Sequence, residues 1–179
     1  MEDIIKPWVI IIMGPTASGK STLGSLLYDQ IQSKSNKIKF YDGDKIRKKL
    51  KNEYTHSLSD RFRVLDEYLE IITKDYEDGY NIILSTVLHK NKMREIVKNK
   101  LDNVFIIYLH CNVNVCKKRD FKGHYAKAQK GELNCFPGIT EPYEYPDNAD
   151  LIINTGKYSI SESLDFILDF ANEMIGIEK

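Results

Sequence analysis

The sequence predicts an α/β domain: one sheet of five parallel strands, helices on both faces, and a charged segment that stands apart from them. Three observations carry this. Short apolar runs alternate with amphipathic segments along the 179-residue chain, the order that builds a parallel sheet covered on both sides. The first apolar run ends in a glycine-containing loop that opens a helix. Residues 119–146 are polar, charged and broken by Gly and Pro, too long for a plain connection.

Residues 8–13 (WVIIIM) are a continuous apolar run between Pro7 and Gly14, as in a central strand. Leu23, Leu26, Leu27 and Ile31 recur at helical spacing and predict a helix over 21–33 with one buried side. Residues 37–41 (KIKFY) alternate and predict the second strand. A short helix over 44–51 follows, then a longer one over 60–76 whose stripe is Phe62, Leu65, Leu69 and Ile72, closed by Gly79. The third strand is 81–86 (NIILST), a helix spans 91–100, and the fourth strand is 103–110 (NVFIIYLH). Residues 112–118 begin a helix, 149–154 (ADLIIN) form the last strand and 160–175 the closing helix. With no internal repeat and no low-complexity stretch, the expectation is a single domain over 1–179, with 119–146 either a lid or disordered.

Lys+Arg and Asp+Glu number 26 each, so the net charge is zero. That balance argues against a general affinity for nucleic acid or acidic membranes, though not against a local basic pocket. The N-terminal apolar run is short and ends in the glycine loop, which makes it a buried strand, not a signal peptide or a membrane span. Cys111, Cys116 and Cys135 form no CxxC pair and have no His spacing for zinc. They read as packing residues in a reducing, cytoplasmic setting.

Gly14, Gly19, Lys20 and Ser21 in IIMGPTASGKST match G-x-x-x-x-G-K-[ST] between a strand and a helix, which makes this a P-loop fold. Such a loop turns the backbone N–H groups of Gly14 to Thr22 (Pro15 excepted), through Thr16, Ala17 and Ser18, toward phosphate oxygens, and the helix N-terminus adds its dipole. Lys20 can reach the β and γ phosphates, and the Ser21 hydroxyl can hold Mg²⁺. ATP with Mg²⁺ is therefore the expected cofactor pair. The spelling GPTASGKS is also familiar from enzymes that prenylate transfer RNA, so the loop alone does not name the acceptor.

After the second strand stands YDGDKIRKKL, at the edge of the sheet where α/β ligands bind. Asp44 can accept the proton of an attacking hydroxyl, Asp42 can orient a Mg²⁺-bound water, and Arg47, one turn on, can pair with an anionic acceptor. The plain alternative is a turn with Asp44 as helix N-cap. In RDFKGHYAKAQKG, Arg119, Lys122 and Lys127 can converge on phosphates when a lid closes, excluding water and neutralising charge; the alternative is a solvated charged helix. His110 reads as a strand end and His124 as a solvent-facing lid residue, neither with assigned chemistry.

These motifs resemble a known family. DGDKIR, together with the phosphate loop and the run KRDFKGHYAKAQKGELNCFPGITEPYEYPDNADLIINT, is similar to the adenylylsulfate kinases, which phosphorylate the 3′-hydroxyl of adenosine 5′-phosphosulfate with Mg·ATP. The resemblance covers nearly the whole chain and excludes the prenyl transferases, whose second strand leads into a DS-x-Q-type motif. It implies that residues 14–22 hold ATP phosphates with Ser21 on Mg²⁺, that Asp44 is the base, and that Arg47 and Arg61 clamp the acceptor's phosphosulfate end. It further implies Lys122 and Phe136 as lid contacts to the acceptor nucleotide, Phe136 by stacking on its base, and Arg119 beside the ATP adenine and phosphates. A homodimer is an expectation of the same kind.

Departures from the family pattern gather on the acceptor side. The family has Phe at the position of His56, Asn at that of Val64, and a serine-bearing SFISP where this chain has STVLHK, placing Val87, Leu88 and His89 in the acceptor pocket. Lost stacking or hydrogen bonds at a buried base are worth on the order of 1–3 kcal/mol each, enough to change the preferred nucleotide. Three readings follow: an adenylylsulfate kinase, a related kinase acting on another nucleoside 5′-diphosphate-like acceptor such as a cytidine diphosphoramidate in surface-polysaccharide or capsule modification, and a catalytically weak nucleotide-binding module. The intact Lys20, Ser21 and Asp44 argue against the last.

Overall fold

A computed structural model describes residues 6–33, 37–50 and 54–176. In chain order the elements are β1 (Val9–Met13), α1 (Lys20–Gln32), β2 (Ile38–Asp42), α2 (Gly43–Lys49), α3 (Leu58–Glu77), β3 (Asn81–Thr86), α4 (Asn91–Lys100), β4 (Val104–His110), α5 (Val113–Lys118), α6 (His124–Gln129), β5 (Leu151–Asn154) and α7 (Ile160–Ile175). The five strands form one sheet in the order β2-β3-β1-β4-β5, every pairing parallel.

The continuous apolar run of β1 follows from its central position, because both of its faces are covered. Val9, Ile11 and Met13 point into one core with Val64, Leu65, Leu69 and Ile72 of α3 and Met93 and Val97 of α4. Trp8, Ile10 and Ile12 point the other way, into a core with Leu23, Leu27 and Ile31 of α1 and Ile167 and Ala171 of α7. One discrepancy is instructive: Leu26 is only half-buried while Gly24 is buried. A Cβ at Gly24 would lie 2.3 Å from Ser85 Oγ and 2.7 Å from the Phe40 ring. The missing side chain is what seats α1 against β3.

Helix α3 begins two residues before its predicted start, with the Ser57 hydroxyl accepting from the Asp60 N–H at 3.2 Å. Gly79, at φ 84°, takes the left-handed conformation that ends it. The predicted end of the short helix at 51 lies outside the described residues; α2 ends at Lys49. Residues 119–146 carry α6 and close over the loop with a small core of their own, in which Cys111, Cys116, Tyr125, Ala128 and Phe136 are buried against Ala17. Lys90 holds the far limb of this segment through Glu141 at 2.5 Å and Glu144 at 3.4 Å. All three cysteines are buried and free. Among the described residues no helix is long and apolar enough to cross a membrane.

Because the strands are parallel, their C-terminal ends share one edge. The phosphate loop, Asp42, Thr86 and Val87 all lie there, and the 119–146 segment faces them across a cavity of about 640 Å³.

Candidate active site

The phosphate loop is built from backbone that side chains would obstruct. Gly14 has φ 155°, and a Cβ there would sit 2.6 Å from the Leu109 carbonyl oxygen. Gly19, at φ 101°, caps α1 in the left-handed region. Ala17 adopts φ 61°, a conformation that non-glycine residues seldom take. Neighbouring elements hold this shape: Thr155 Oγ1 donates to the Ser18 carbonyl at 2.9 Å, Ser85 Oγ to the Lys20 carbonyl at 2.8 Å and the Tyr125 hydroxyl to the Thr16 carbonyl at 3.0 Å. Thr16 through Thr22 line the cavity; Gly14 and Pro15 form the base of the loop. The Ser18 hydroxyl is buried without a partner among the described residues.

Lys20 turns its ammonium back onto the Pro15 carbonyl at 2.7 Å. Burial pushes it down to about 8, opposed by the negative charges of Asp44 and Asp42. At neutral pH the side chain is still mostly cationic and poorly solvated, the condition in which a charge acts most strongly on a phosphate.

On the opposite wall, Asp42 is the N-cap of α2: its Oδ1 accepts from the N–H groups of Asp44 at 2.9 Å and Lys45 at 3.2 Å. The capping residue is therefore Asp42 and not Asp44, because the helix begins two residues earlier than a cap at Asp44 would require. That leaves Asp44 free to reach the lid, where its Oδ2 accepts from Lys122 Nζ at 2.8 Å. Burial alone would raise the Asp44 carboxyl, but the bond and charge of Lys122, with Lys20 and His124, hold it below the usual carboxylate range. The same bond raises Lys122. Asp44 is thus an ionised carboxylate facing Lys20 across one cavity.

Arg47 and Arg61 line the same end of the cavity. Arg47 Nη2 donates to the Tyr54 carbonyl at 3.1 Å and to that of Thr55, and Arg61 Nη2 to the Cys135 carbonyl at 2.8 Å. Each guanidinium keeps further N–H groups beyond these anchoring bonds. Arg61 Nε also donates to the His56 carbonyl at 3.3 Å. Desolvation and the neighbouring Arg47 and Arg61 push His56 down to about 4. Since the His56 side chain is solvent-exposed, the two guanidinium charges are the cause this geometry supports best. Arg119 also lines the cavity and donates to the Thr155 carbonyl at 2.8 Å.

Several expected residues are not brought to the cavity. Phe136 is 4% exposed and lies behind its wall, edge-on to Tyr125 at 4.9 Å between ring centres, so here it is lid core and not a base-stacking face. The apolar cluster around Cys116 draws it inward. His89 is fully buried beside Tyr143, with neither ring nitrogen hydrogen-bonded among the described residues; its neighbours Val87 and Leu88 line the cavity instead, as does Val64. Beyond the end of β3 at Thr86 the chain is no longer a regular strand, and His89 packs beside Tyr143 instead. Lys127 is exposed on α6 and does not line the cavity.

The structure also brings in residues that the sequence did not single out. Tyr158, Ile160 and Ser163, at the start of α7, line the cavity, and the Ser163 hydroxyl is buried with no partner among the described residues. Phe121 stands 89% exposed on the rim. His124 lines the cavity beside Lys122 instead of facing solvent. The lid motif held the signal for the last two, but nothing in it says which way α6 turns.

Comparisons with known proteins agree with this geometry. The adenylylsulphate kinase family model matches residues 6–154. The adenylyl-sulfate kinase of Prochlorococcus marinus is 36% identical over 169 residues, covering 91% of this chain and 82% of that protein. That of Bacteroides thetaiotaomicron is 31% identical over 163 residues, covering 90% and 81%. Among solved structures, the Mycobacterium tuberculosis APS kinase CysC in complex with AMPPNP and APS superposes with a TM-score of 0.85 at 26% identity, covering 93% of this chain and 98% of that one.

Proposed function

The chain belongs to the adenylylsulphate kinase family, and from that premise we propose that it transfers the γ-phosphoryl group of ATP to the 3′-hydroxyl of adenosine 5′-phosphosulfate. The observation that carries the reading is the ionised Asp44, held by Lys122 at 2.8 Å, in the same cavity as Lys20 and the phosphate loop. The acceptor's 3′-oxygen forms a bond to the γ-phosphorus, the bond from that phosphorus to the β,γ-bridging oxygen breaks, ADP leaves, and the hydroxyl proton passes to Asp44. Lys20 and the loop N–H groups stabilise charge on the transferring group. Arg47 and Arg61 hold the acceptor's anionic end, and Arg119 with Tyr158 and Ile160 flanks the ATP base. Residues 119–146 act as the lid over both nucleotides, keeping water from the reaction.

The donor set fits Mg²⁺ brought in with the nucleotide. Among the described residues no group of three His, Cys, Asp or Glu side chains forms a resident metal site, whereas Mg²⁺ prefers few protein oxygens plus phosphates and water. Ser21 would hold it through its hydroxyl, and Asp42, whose Oδ2 lies outside the helix cap, would orient its water. When bound, the ion neutralises phosphate charge and aligns the β and γ groups.

Val64 and Leu88, both buried in the cavity wall, favour keeping a second reading: the same transfer to another nucleoside 5′-diphosphate-like acceptor, including a cytidine diphosphate derivative. ADP release from Mg·ATP measured against a panel of acceptors separates the readings. Turnover on micromolar adenosine 5′-phosphosulfate supports the first, and preference for a cytidine acceptor replaces it with the second. Binding of ATP with no turnover on any acceptor points to a nucleotide-binding module.

A further inference from the structure

The acceptor end of the cavity is well supplied with charge and with apolar wall but poor in groups that can read a base. Arg47, Arg61 and Lys122 serve anions, and Val64 and Leu88 have no polar side-chain atoms. The Tyr68 hydroxyl and Thr86 Oγ1 lie 3.2 Å apart and satisfy each other. His124 is different. Its backbone N–H is tied to Asp120 Oδ1 at 3.0 Å, which fixes the first turn of α6. Its ring stands edge-on to Phe136 at 6.5 Å between centres, and Phe136 is itself locked by Tyr125. Among the described residues neither imidazole nitrogen of His124 has a hydrogen-bond partner, although the ring lines the cavity. It also lies within electrostatic reach of Asp44 and of His56. His124 thus takes the cavity-facing place in front of the phenylalanine expected to stack there.

We infer that His124 is a specificity-determining residue that hydrogen-bonds the edge of the acceptor's nucleobase, with Phe136 as the backing that holds its ring in place. A neutral imidazole offers one donor and one acceptor, so it distinguishes bases by their polar edges, which the face of a phenylalanine cannot do. A site that hydrogen-bonds its ligand rejects an analogue lacking the matching group far more strongly than an apolar pocket does. The ligand class is a nucleotide acceptor whose base presents a complementary polar edge next to the 3′-hydroxyl transfer site. This inference rests on the kinase reading above.

The test compares the full-length wild type with His124→Phe and His124→Asn. The acceptors are adenosine 5′-phosphosulfate and the 5′-diphosphates of adenosine, guanosine, cytidine and uridine, each assayed by ADP release and by calorimetric binding in the presence of a non-hydrolysable ATP analogue. The expected result for His124→Phe is an acceptor KM raised about tenfold or more for the preferred base, a smaller spread among bases and an unchanged KM for ATP. His124→Asn, which keeps a donor and an acceptor, should retain most of the discrimination. An unchanged spread among bases in His124→Phe overturns the inference, as does an equal rise in the KM for ATP or a fall in kcat alone. If the wild type turns over no acceptor, the kinase reading has failed instead, and the calorimetric spread among bases still decides the role of His124.

Discussion

The donor and acceptor halves of the cavity face each other but are built by opposite means. The donor half is contiguous in sequence, residues 14–22, and its ligands are mainly backbone N–H groups whose directions are set by Gly14, Ala17 and Gly19 at positive φ. It is locked from below by Ser85, Thr155 and Tyr125, none of which need touch the nucleotide. The acceptor half is assembled from side chains of α2, α3, the end of β3 and the lid, and its charged pair stands partly open to solvent. Asp44 is 62% exposed and Lys122 43%. A backbone cradle tolerates changes in most of its side chains, whereas a side-chain cradle changes its ligand whenever one residue changes. Of the three positions expected to depart from the family pattern, Val64 and Leu88 line the cavity and His56 does not.

That contrast can be broken or sharpened in four ways, from the largest effect down. Asp44→Asn should lower kcat by about 10⁴-fold, since general-base transfer contributes up to that much, while affinity for an ATP analogue stays as it was. A matching loss of nucleotide affinity would show that the two halves are not separable. Lys20→Met should lower kcat by about 10³-fold and weaken ATP binding as well, with acceptor binding measured alone left intact.

The third prediction concerns the wall behind the acceptor. Burial first, then the charges of Arg61 and Lys90, push His89 down to about 4, against about 6.5 for a free histidine. Between those values the unfolded chain binds a proton that the folded chain does not, so stability is constant above about pH 6.5 and falls as pH drops toward 4. The loss is at most about 3 kcal/mol. Urea titrations across that window should show a shallower slope in His89→Phe than in the wild type, and parallel slopes would remove His89 from the account. The smallest effect is expected for Lys122→Met. Its exposed pair with Asp44 is worth under about 1 kcal/mol to folding, so the urea midpoint should barely move while the acceptor KM rises. A large loss of stability would mean that the pair serves the fold more than the site.

Much of this architecture was legible before any coordinates. Strand and helix order, the central place of the WVIIIM run and the phosphate loop all follow from local periodicity and from glycine placement, and the structure keeps them with boundary shifts of a residue or two. Asp44, Arg47, Arg61 and Lys122 could be named from motifs and do line one cavity. Phe136, His89 and Lys127 could be named as well, yet they point elsewhere, and His124 was set aside although it lines the cavity.

The division has a physical cause. Backbone conformation and hydrophobic period are properties of neighbouring residues, so the sequence by itself determined the sheet, the loop and the edge at which ligands gather. Which way a side chain faces depends on what is packed behind it. Phe136 turns inward because Tyr125 and Cys116 offer it a core, His89 because it packs beside Tyr143, and His124 outward because Asp120 fixes the turn before it. Those are contacts between residues remote in sequence or set by a turn's geometry, and only the tertiary structure could decide them.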